Sequence, residues 1–235
     1  MEVIGPDTID VWTWSLDVPP PALGACTVLL SVDECARAMH FARERDKRRF
    51  VAARAQLRSV LGRYLGLSPQ SICFTYGDYG KPYLTIDGTP PFYFNLSHSA
   101  DLAVLAISDC YDLGVDIEEI RFLKEDIARR FFSRKEYQTL RGLPAATYLD
   151  GFYRCWTRKE AFVKAHGRGL SLPLDSFDVT FDGFGEPRLE RLEGDPDAPS
   201  NWSILELETP VNFAGAVVAS TKGHPVHLRY RDADM

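Results

Sequence analysis

The sequence lacks the features of secreted and membrane proteins. Its five cysteines are an odd number and include no Cys-x-x-Cys pair. This usage indicates reduced thiols in a cytoplasmic protein, not a disulfide framework or a zinc site. The opening residues, Met1-Glu2-Val3, show no basic region followed by an apolar run, so no signal peptide is expected. The longest apolar runs, such as residues 213–219, are too short to cross a bilayer.

The chain also lacks the positive charge of a general nucleic-acid binder. Its 235 residues carry a net charge of −6, and 45% are hydrophobic and 26% charged. That composition is globular and sufficient for one large domain or two small ones. The charge is uneven, because residues 41–63 contain eight basic and two acidic residues. A basic surface on an acidic protein suits a small phosphorylated ligand or an acidic partner.

A helix is predicted near the middle of the second half. Large apolar residues recur at helical spacing from Tyr148 to Val163, and Gly167 is typical of a helix end. Trp156, Glu160 and Lys164 are four residues apart and therefore share one face, which Lys159 borders. A surface Glu–Lys pair is the structural alternative to a functional site here.

Two carboxylates project from a predicted strand over residues 113–118. Side chains alternate along a strand, so Val115 and Ile117 face the core while Asp116 and Glu118 emerge together on the other face. Oxygen ligands favour a hard cation, Mg²⁺ with Mn²⁺ as the alternative. A solvated edge strand is the structural alternative.

The first half offers further candidates. Arg54 falls inside the apolar stripe of a basic helix predicted over residues 43–65, so its guanidinium needs either a protein carboxylate or a ligand phosphate. Lys81 lies in a Gly-Lys-Pro bend, where backbone can approach a ligand closely. Ser97 and His98 follow a short apolar strand. A surface loop for Lys81 and a capping or core histidine for His98 are the alternatives.

An internal repeat predicts the architecture. In each half a helix is followed by a threonine and a Gly-x-Pro turn, and these positions are 105 residues apart. We therefore predict an α+β fold with two similar halves, residues 1–113 and 114–235, related by a pseudo-twofold axis. Each half is a helix packed on a small antiparallel sheet. Equivalent helices then carry Arg54 and Glu160, which places the site at the interface between the halves. Since fused halves supply their own interface, a monomer is expected.

Three segments carry no predicted chemistry. Residues 27–31 are predicted as a strand, residues 182–200 as a loop and residues 229–235 as a frayed end.

Taken together, these motifs resemble a known family. Residues 113–118 (LGVDIE), followed some forty residues later by residues 156–164 (WTRKEAFVK), look like the signature pair of the 4′-phosphopantetheinyl transferases. The larger, monomeric, surfactin-synthetase-activating type is resembled by residues 79–82 (YGKP), 94–99 (FNLSHS) and 169–177 (GLSLPLDSF). Several ordered motifs are more specific than any one alone.

The resemblance implies a reaction. The 4′-phosphopantetheine arm of coenzyme A moves to a serine of an apo acyl or peptidyl carrier protein, with Mg²⁺, and adenosine 3′,5′-bisphosphate is released. It implies that Asp116, Glu118 and Glu160 hold the metal, that Glu160 takes the serine proton directly or through a water, and that Lys164 balances developing charge. The residues implied in binding coenzyme A are Arg43, Arg54, Lys81, Ser97, His98 and Lys159.

Two other functions compete with this one. A non-catalytic module that binds coenzyme A or a carrier protein should have lost one of the three carboxylates, and all three are present. A different Mg²⁺-dependent phosphotransferase or nuclease is disfavoured by the acidic balance and by the lack of further acidic metal motifs.

Overall fold

The first half is organised around the helix α3. The computed structural model describes residues 2–84, 92–123, 125–183 and 185–232, with every side chain among them except that of Leu170. In α3 the apolar stripe buries Leu57 and Leu61 completely, and the helix ends at Gly66, whose φ of 65° is left-handed. The elements of this half are β1 (Thr8–Ser15), α1 (Pro20–Thr27), α2 (Val32–Met39), α3 (Glu44–Leu65), β2 (Phe74–Tyr76), β3 (Pro82–Leu84), β4 (Tyr93–Ser99) and β5 (Leu102–Ser108).

The second half is organised around the helix α6, which lies directly on the strand β6. A Cβ atom on Gly114 would collide with the backbone oxygen of Ala161, so only glycine permits this approach. The elements here are β6 (Leu113–Glu119), α4 (Ile127–Phe131), α5 (Arg134–Gly142), α6 (Tyr148–His166), β7 (Phe177–Val179), β8 (Leu189–Leu192), α7 (Ala198–Asn201), β9 (Ser203–Glu206), β10 (Phe213–Ala219) and β11 (His227–Asp232).

The strand pairing repeats between the halves. In the first, β5 lies between β1 and β4; in the second, β10 lies between β6 and β9. Each half also has a two-stranded hairpin after its long helix, β2 with β3 and β7 with β8. This repetition confirms the predicted α+β fold with two similar halves.

The back faces of the two main sheets form a shared apolar core. This core contains Val11 of β1, Val104 of β5, Val115 of β6 and Val217 of β10. Each long helix packs against the opposite face of its own sheet, in a separate apolar cluster. The junction between the halves is therefore a continuous core rather than a flexible linker.

The last strand departs from the predicted organisation. Residues 229–232, expected to be frayed, belong to β11, which pairs in parallel with β1 and returns to the sheet of the first half. That sheet is consequently mixed and not purely antiparallel. The predicted boundary between residues 113 and 114 stays a prediction. Strand β11 follows this boundary in the sequence but belongs to the sheet of the first half. Residues 233–235 lie outside the described residues.

Two local predictions were wrong. Residues 27–31 form the end of α1 and a turn leading to α2, not a strand. The segment 182–200, expected to be a loop, contains β8 and the first part of α7. The 27–31 segment contains the end of a helix that packs on α3, and β8 pairs with β7. Packing and pairing of this kind are not recorded in the local sequence pattern. No helix among the described residues is long and apolar enough to cross a membrane.

An ion pair to a buried carboxylate attaches β11 to the sheet. Asp10 of β1 has no solvent exposure. Its carboxylate accepts hydrogen bonds from Arg229 Nε at 2.6 Å, from Arg229 Nη2 at 2.8 Å and from the Tyr64 hydroxyl at 2.5 Å. The strand β1, the helix α3 and the strand β11 are therefore joined by hydrogen bonds to the Asp10 carboxylate.

Replacing Arg229 by alanine tests this attachment. The change leaves the buried Asp10 carboxylate without its guanidinium, which should lower the free energy of unfolding by about 3 kcal/mol. Arg231→Ala on the same strand is the control, because its partner Glu2 is partly exposed whereas Asp10 is fully buried, and this pair should contribute less than about 1 kcal/mol. Urea denaturation of both variants measures the difference, and equal losses would contradict the role given to Asp10.

Candidate functional site

Side chains from two other elements converge on Asp116 of β6. The Asp116 carboxylate is buried, and its Oδ1 atom accepts hydrogen bonds from Ser97 Oγ of β4 at 2.9 Å and from Lys164 Nζ of α6 at 2.6 Å. Lys164 Nζ also donates to Ser97 Oγ at 3.0 Å and to the Val115 carbonyl at 3.0 Å. The spacing that predicted a functional face on α6 therefore brings Lys164 to the predicted carboxylate.

Glu118 and Glu160 lie beside Asp116, whose charge helps to raise the pKa of both. Burial raises the pKa of the Glu160 carboxyl, and the nearby Asp116 charge adds to the rise while Lys164 opposes it. Burial also raises the pKa of Glu118, against a hydrogen bond of 2.7 Å that Ser99 Oγ donates to it. The three carboxylates thus form a region of negative charge in which a cation would be stabilised.

These carboxylates line a cavity of about 350 Å³, here called the carboxylate cavity. Its wall is completed by other side chains from both halves, namely Leu96, Ser97, His98, Trp156 and Lys164. Within the described residues, no three His, Cys, Asp or Glu side chains are grouped closely enough to hold a metal ion by themselves.

The carboxylate cavity nevertheless has the donors that Mg²⁺ uses. The Oδ2 atom of Asp116 is buried and has no hydrogen-bond partner among the described residues. An unpaired buried carboxylate oxygen is costly unless a ligand satisfies it. Mg²⁺ commonly takes one or two carboxylates and completes its shell with waters and substrate phosphates. A partly formed set of oxygen ligands fits that chemistry.

A larger cavity of about 1120 Å³ adjoins the first, and we call it the arginine cavity. Leu96 and His98 line both cavities. Arginines from two helices line the larger one, Arg37 of α2 and Arg49 and Arg54 of α3. Three acidic residues, Asp33, Glu34 and Asp46, line it as well. A cavity that offers guanidinium groups thus joins the carboxylate cavity, and the residues that line both come from β4.

The partner of Arg54 is a protein carboxylate. Arg54 Nε donates to Glu34 Oε1 at 2.5 Å, and Arg58 Nε donates to Glu34 Oε2 at 2.6 Å. The Arg54 guanidinium also lies over the Phe74 ring, 4.5 Å from its centroid. One carboxylate therefore serves two guanidinium groups, of which Arg54 lines the arginine cavity and Arg58 does not.

His98 occupies the boundary between the cavities. Its side chain is exposed, yet the walls around it desolvate the ring and the Lys164 ammonium repels a second positive charge, and both lower the pKa of His98. Its ring is therefore neutral at pH 7 and can donate or accept a hydrogen bond there.

Three predicted ligand-binding residues lie elsewhere. Arg43 is the exposed N-cap of α3 and lines neither cavity. Lys81 also lies outside both, with its ammonium bonded to Asp112 and to two backbone carbonyls. Lys159 has no solvent exposure at all. The structure does not bring these three side chains to the site.

Lys159 has a structural partner instead. Its Nζ donates to Glu136 Oε1 at 2.7 Å and to the Phe177 carbonyl at 2.7 Å. Glu136 belongs to the capping box with Ser133 at the start of α5. One residue along a helix is a rotation of about 100°, so Lys159 points away from the cavity that Glu160 lines.

Sequence reasoning missed Arg37 and Arg49. The basic residues around α3 are predicted mainly as a solvated face. Arg49 instead donates two hydrogen bonds to Asp17, at 2.9 and 3.1 Å, beside the arginine cavity. The spacing of residues along α3 does not distinguish Arg49 from the exposed basic residues beside it. The cavity that Arg49 lines is completed by β4 and by the turn before β3, which are remote in the sequence.

Comparisons with known proteins show which family this chain resembles. The model of the 4′-phosphopantetheinyl transferase superfamily matches residues 112–220, and that of the 4′-phosphopantetheinyl transferase N-terminal region matches residues 20–110. The 4′-phosphopantetheinyl transferase HetI of Nostoc sp. is 37% identical over 92% of this chain and 90% of its own length. The 4′-phosphopantetheinyl transferase Sfp of Bacillus subtilis is 35% identical over 82% of each chain.

Solved structures show a weaker likeness. The holo-[acyl-carrier-protein] synthase of Thermotoga maritima is 22% identical and aligns over 47% of this chain and 63% of its own, with a TM-score of 0.38. A score at this level does not bear on the assignment.

The chain belongs to the 4′-phosphopantetheinyl transferase superfamily. Because HetI and Sfp match it across both halves, it is of the larger, Sfp-like type. The resemblance seen in the motifs is therefore confirmed.

Replacing Lys159 by methionine tests its structural role. Glu136 would keep a buried charge without its ammonium partner, so the free energy of unfolding should fall by roughly 3 to 5 kcal/mol. Lys135→Met is the matched control, since Lys135 pairs with Glu190 at an exposed position and should contribute less than about 1 kcal/mol. Chemical denaturation measures both, and an unchanged stability for Lys159→Met would make Lys159 a ligand-binding candidate again.

Proposed function

We propose that the chain transfers the 4′-phosphopantetheine arm of coenzyme A to a serine of an apo acyl or peptidyl carrier protein. A bond forms between the serine oxygen and the phosphorus that carries the pantetheine arm. The pyrophosphate bond to that phosphorus breaks, and adenosine 3′,5′-bisphosphate leaves with the bond's electron pair. Membership of the family supports the reaction, and the joined cavities support where it takes place.

The observation that carries the proposal is the junction of the two cavities at Leu96 and His98. Coenzyme A has several phosphates, which suit the guanidinium groups of the arginine cavity, and a pyrophosphate, which suits the boundary. Arg37, Arg49 and Arg54 would bind the phosphates of coenzyme A. A volume of about 1120 Å³ is ample for such a ligand.

Asp116, Glu118 and Glu160 would hold Mg²⁺ in this proposal, with Mn²⁺ as the alternative. Bound there, the cation would neutralise charge on the pyrophosphate during transfer. The Oδ2 atom of Asp116 is the chief support, because it is buried and has no hydrogen-bond partner among the described residues.

Glu160 and Lys164 have the catalytic roles. Glu160 takes the serine proton, directly or through a water. Lys164 stabilises the charge that develops on the leaving phosphate oxygens. Ser97 and His98 bind phosphate oxygens at the boundary between the cavities.

The carrier protein would approach over residues 121–141, a segment with seven basic and three acidic residues. Phe131 of α4 packs edge-on against Trp156, 6.0 Å between ring centroids, and Trp156 lines the carboxylate cavity. The segment therefore borders the place where the serine must enter. Two fused halves supply both walls of the site, so we propose that the protein acts as a monomer.

The transfer assay tests the proposed function. Purified protein is incubated with coenzyme A, Mg²⁺ and apo carrier proteins of fatty-acid, polyketide and peptide synthetases, and each carrier is weighed by mass spectrometry. The expected result is the gain of one phosphopantetheine arm on at least one carrier. No gain on any of the three classes would contradict the proposal.

Glu160→Gln separates chemistry from binding. Loss of the carboxylate should lower kcat by at least about a hundredfold, while coenzyme A still binds in calorimetry. Glu193→Gln, an exposed residue far along the chain, is the matched control and should retain normal turnover. Turnover retained by the Glu160 variant would remove its role as ligand or base.

Arg49→Gln tests the arginine cavity. Loss of one charge-assisted contact to a phosphate should raise the Kd for coenzyme A by about tenfold or more. Arg48→Gln is the control, since Arg48 lies next along α3 but bonds the Val18 carbonyl and does not line this cavity. Calorimetric titration distinguishes them, and equal affinities would place the phosphates elsewhere.

A further inference from the structure

The side chain of Lys81 reaches from the first half into the second. Lys81 precedes β3, and its Nζ donates to Asp112 Oδ1 at 2.7 Å, to the Leu113 carbonyl at 2.9 Å and to the Lys164 carbonyl at 3.1 Å. The side chain is only 11% exposed. A lysine ammonium has three N–H donors, and these three acceptors occupy them. The donors of Lys164 are occupied as well, but Lys164 lines the carboxylate cavity, whereas Lys81 lines neither cavity.

The acceptors belong to the two elements that carry the proposed chemistry. Leu113 is the first residue of β6, the strand of Asp116 and Glu118, while Lys164 is in the last turn of α6, after Glu160. Carbonyl groups in the last turn of a helix have no donor within the helix, and a cation there also interacts favourably with the helix dipole. The ammonium therefore fixes the end of α6 against the start of β6.

The turn that carries Lys81 has a second, independent contact with the other half. The Tyr79 ring packs so closely on Gly169 that a Cβ there would lie 2.7 Å from it. The turn is also closed internally, because Gly80 N donates to the Gly77 carbonyl at 2.8 Å. Its position beside the arginine cavity thus does not depend on the Lys81 ammonium alone.

We propose that Lys81 is a positioning residue and not a ligand of coenzyme A. It acts through β6 and α6, holding Asp116 and Lys164 in the relative position that places them 2.6 Å apart. This inference rests on the proposed transferase function, since it names the residue that aligns that site. Removing the ammonium should disturb the chemical step more than the binding of coenzyme A.

Lys81→Met tests the proposal, because methionine keeps most of the length of the side chain and removes its three donors. We expect kcat for transfer to fall by about tenfold or more, as misplacement of catalytic groups does. The Kd for coenzyme A in calorimetry should change by less than about threefold. Amide hydrogen exchange should become faster in the last turn of α6 and at the start of β6. Lys47→Met, on the partly exposed surface of α3, is the control and should change none of these.

Other outcomes would overturn the inference. A Kd raised about tenfold or more with kcat maintained would make Lys81 a ligand of coenzyme A. Unchanged kcat or unchanged exchange would remove its positioning role. If Lys81→Met folds poorly, Asp112→Asn weakens the only side-chain acceptor of the three and should lower kcat by roughly threefold with the Kd intact. Hydrogen exchange and the Kd can be measured without turnover. A wild-type protein that transfers nothing would therefore contradict the proposed function, while these two measurements would still test the role of Lys81.

Discussion

The site depends on how one edge of β6 is held. On its β4 side this strand has no backbone ladder within the described residues, and side chains bond it instead. Asn95 Oδ1 accepts from Val115 N at 2.9 Å, and Ser99 Oγ accepts from Glu119 N at 3.1 Å. Between them, Ser97 reaches Asp116. Hydrogen-bonding groups that a sheet would use for pairing are thereby satisfied while space is left for a ligand between two strands.

The same architecture explains why a repeated fold has one such site. Strands β5 and β10 have seven residues each. When β5 is aligned residue by residue with β10, the residues of β1 that pair with β5 are aligned with the residues of β6 that pair with β10. Trp12 then corresponds to Asp116, and Trp14 to Glu118. Both tryptophans are buried against the helix of their half. At the positions where the second half presents carboxylates, the first half has tryptophans that pack in its core. Only one set of paired carboxylates therefore results from the repeat among the described residues.

The sequence predicts well those features that regular spacing determines. The alternation of β6 and the helical period of α6 put Asp116 and Lys164 on facing surfaces, and the structure brings them together. It does not predict partners that come from remote segments. The burial of Lys159 depends on Glu136, 23 residues away, and the pairing of β11 depends on a strand at the other end of the chain. The sequence leaves Arg54 open between carboxylate and phosphate because Glu34 belongs to a different helix.

The most direct test of the account is a crystal structure of the protein grown with coenzyme A and Mn²⁺, with anomalous scattering used to locate the metal. The account predicts one strong anomalous peak bonded to Asp116 Oδ2 in the carboxylate cavity, between the Glu118 and Glu160 carboxylates and the pyrophosphate of coenzyme A. It also predicts the remaining phosphates against Arg49 in the arginine cavity. A metal bound away from Asp116, or coenzyme A bound outside the two joined cavities, would contradict it.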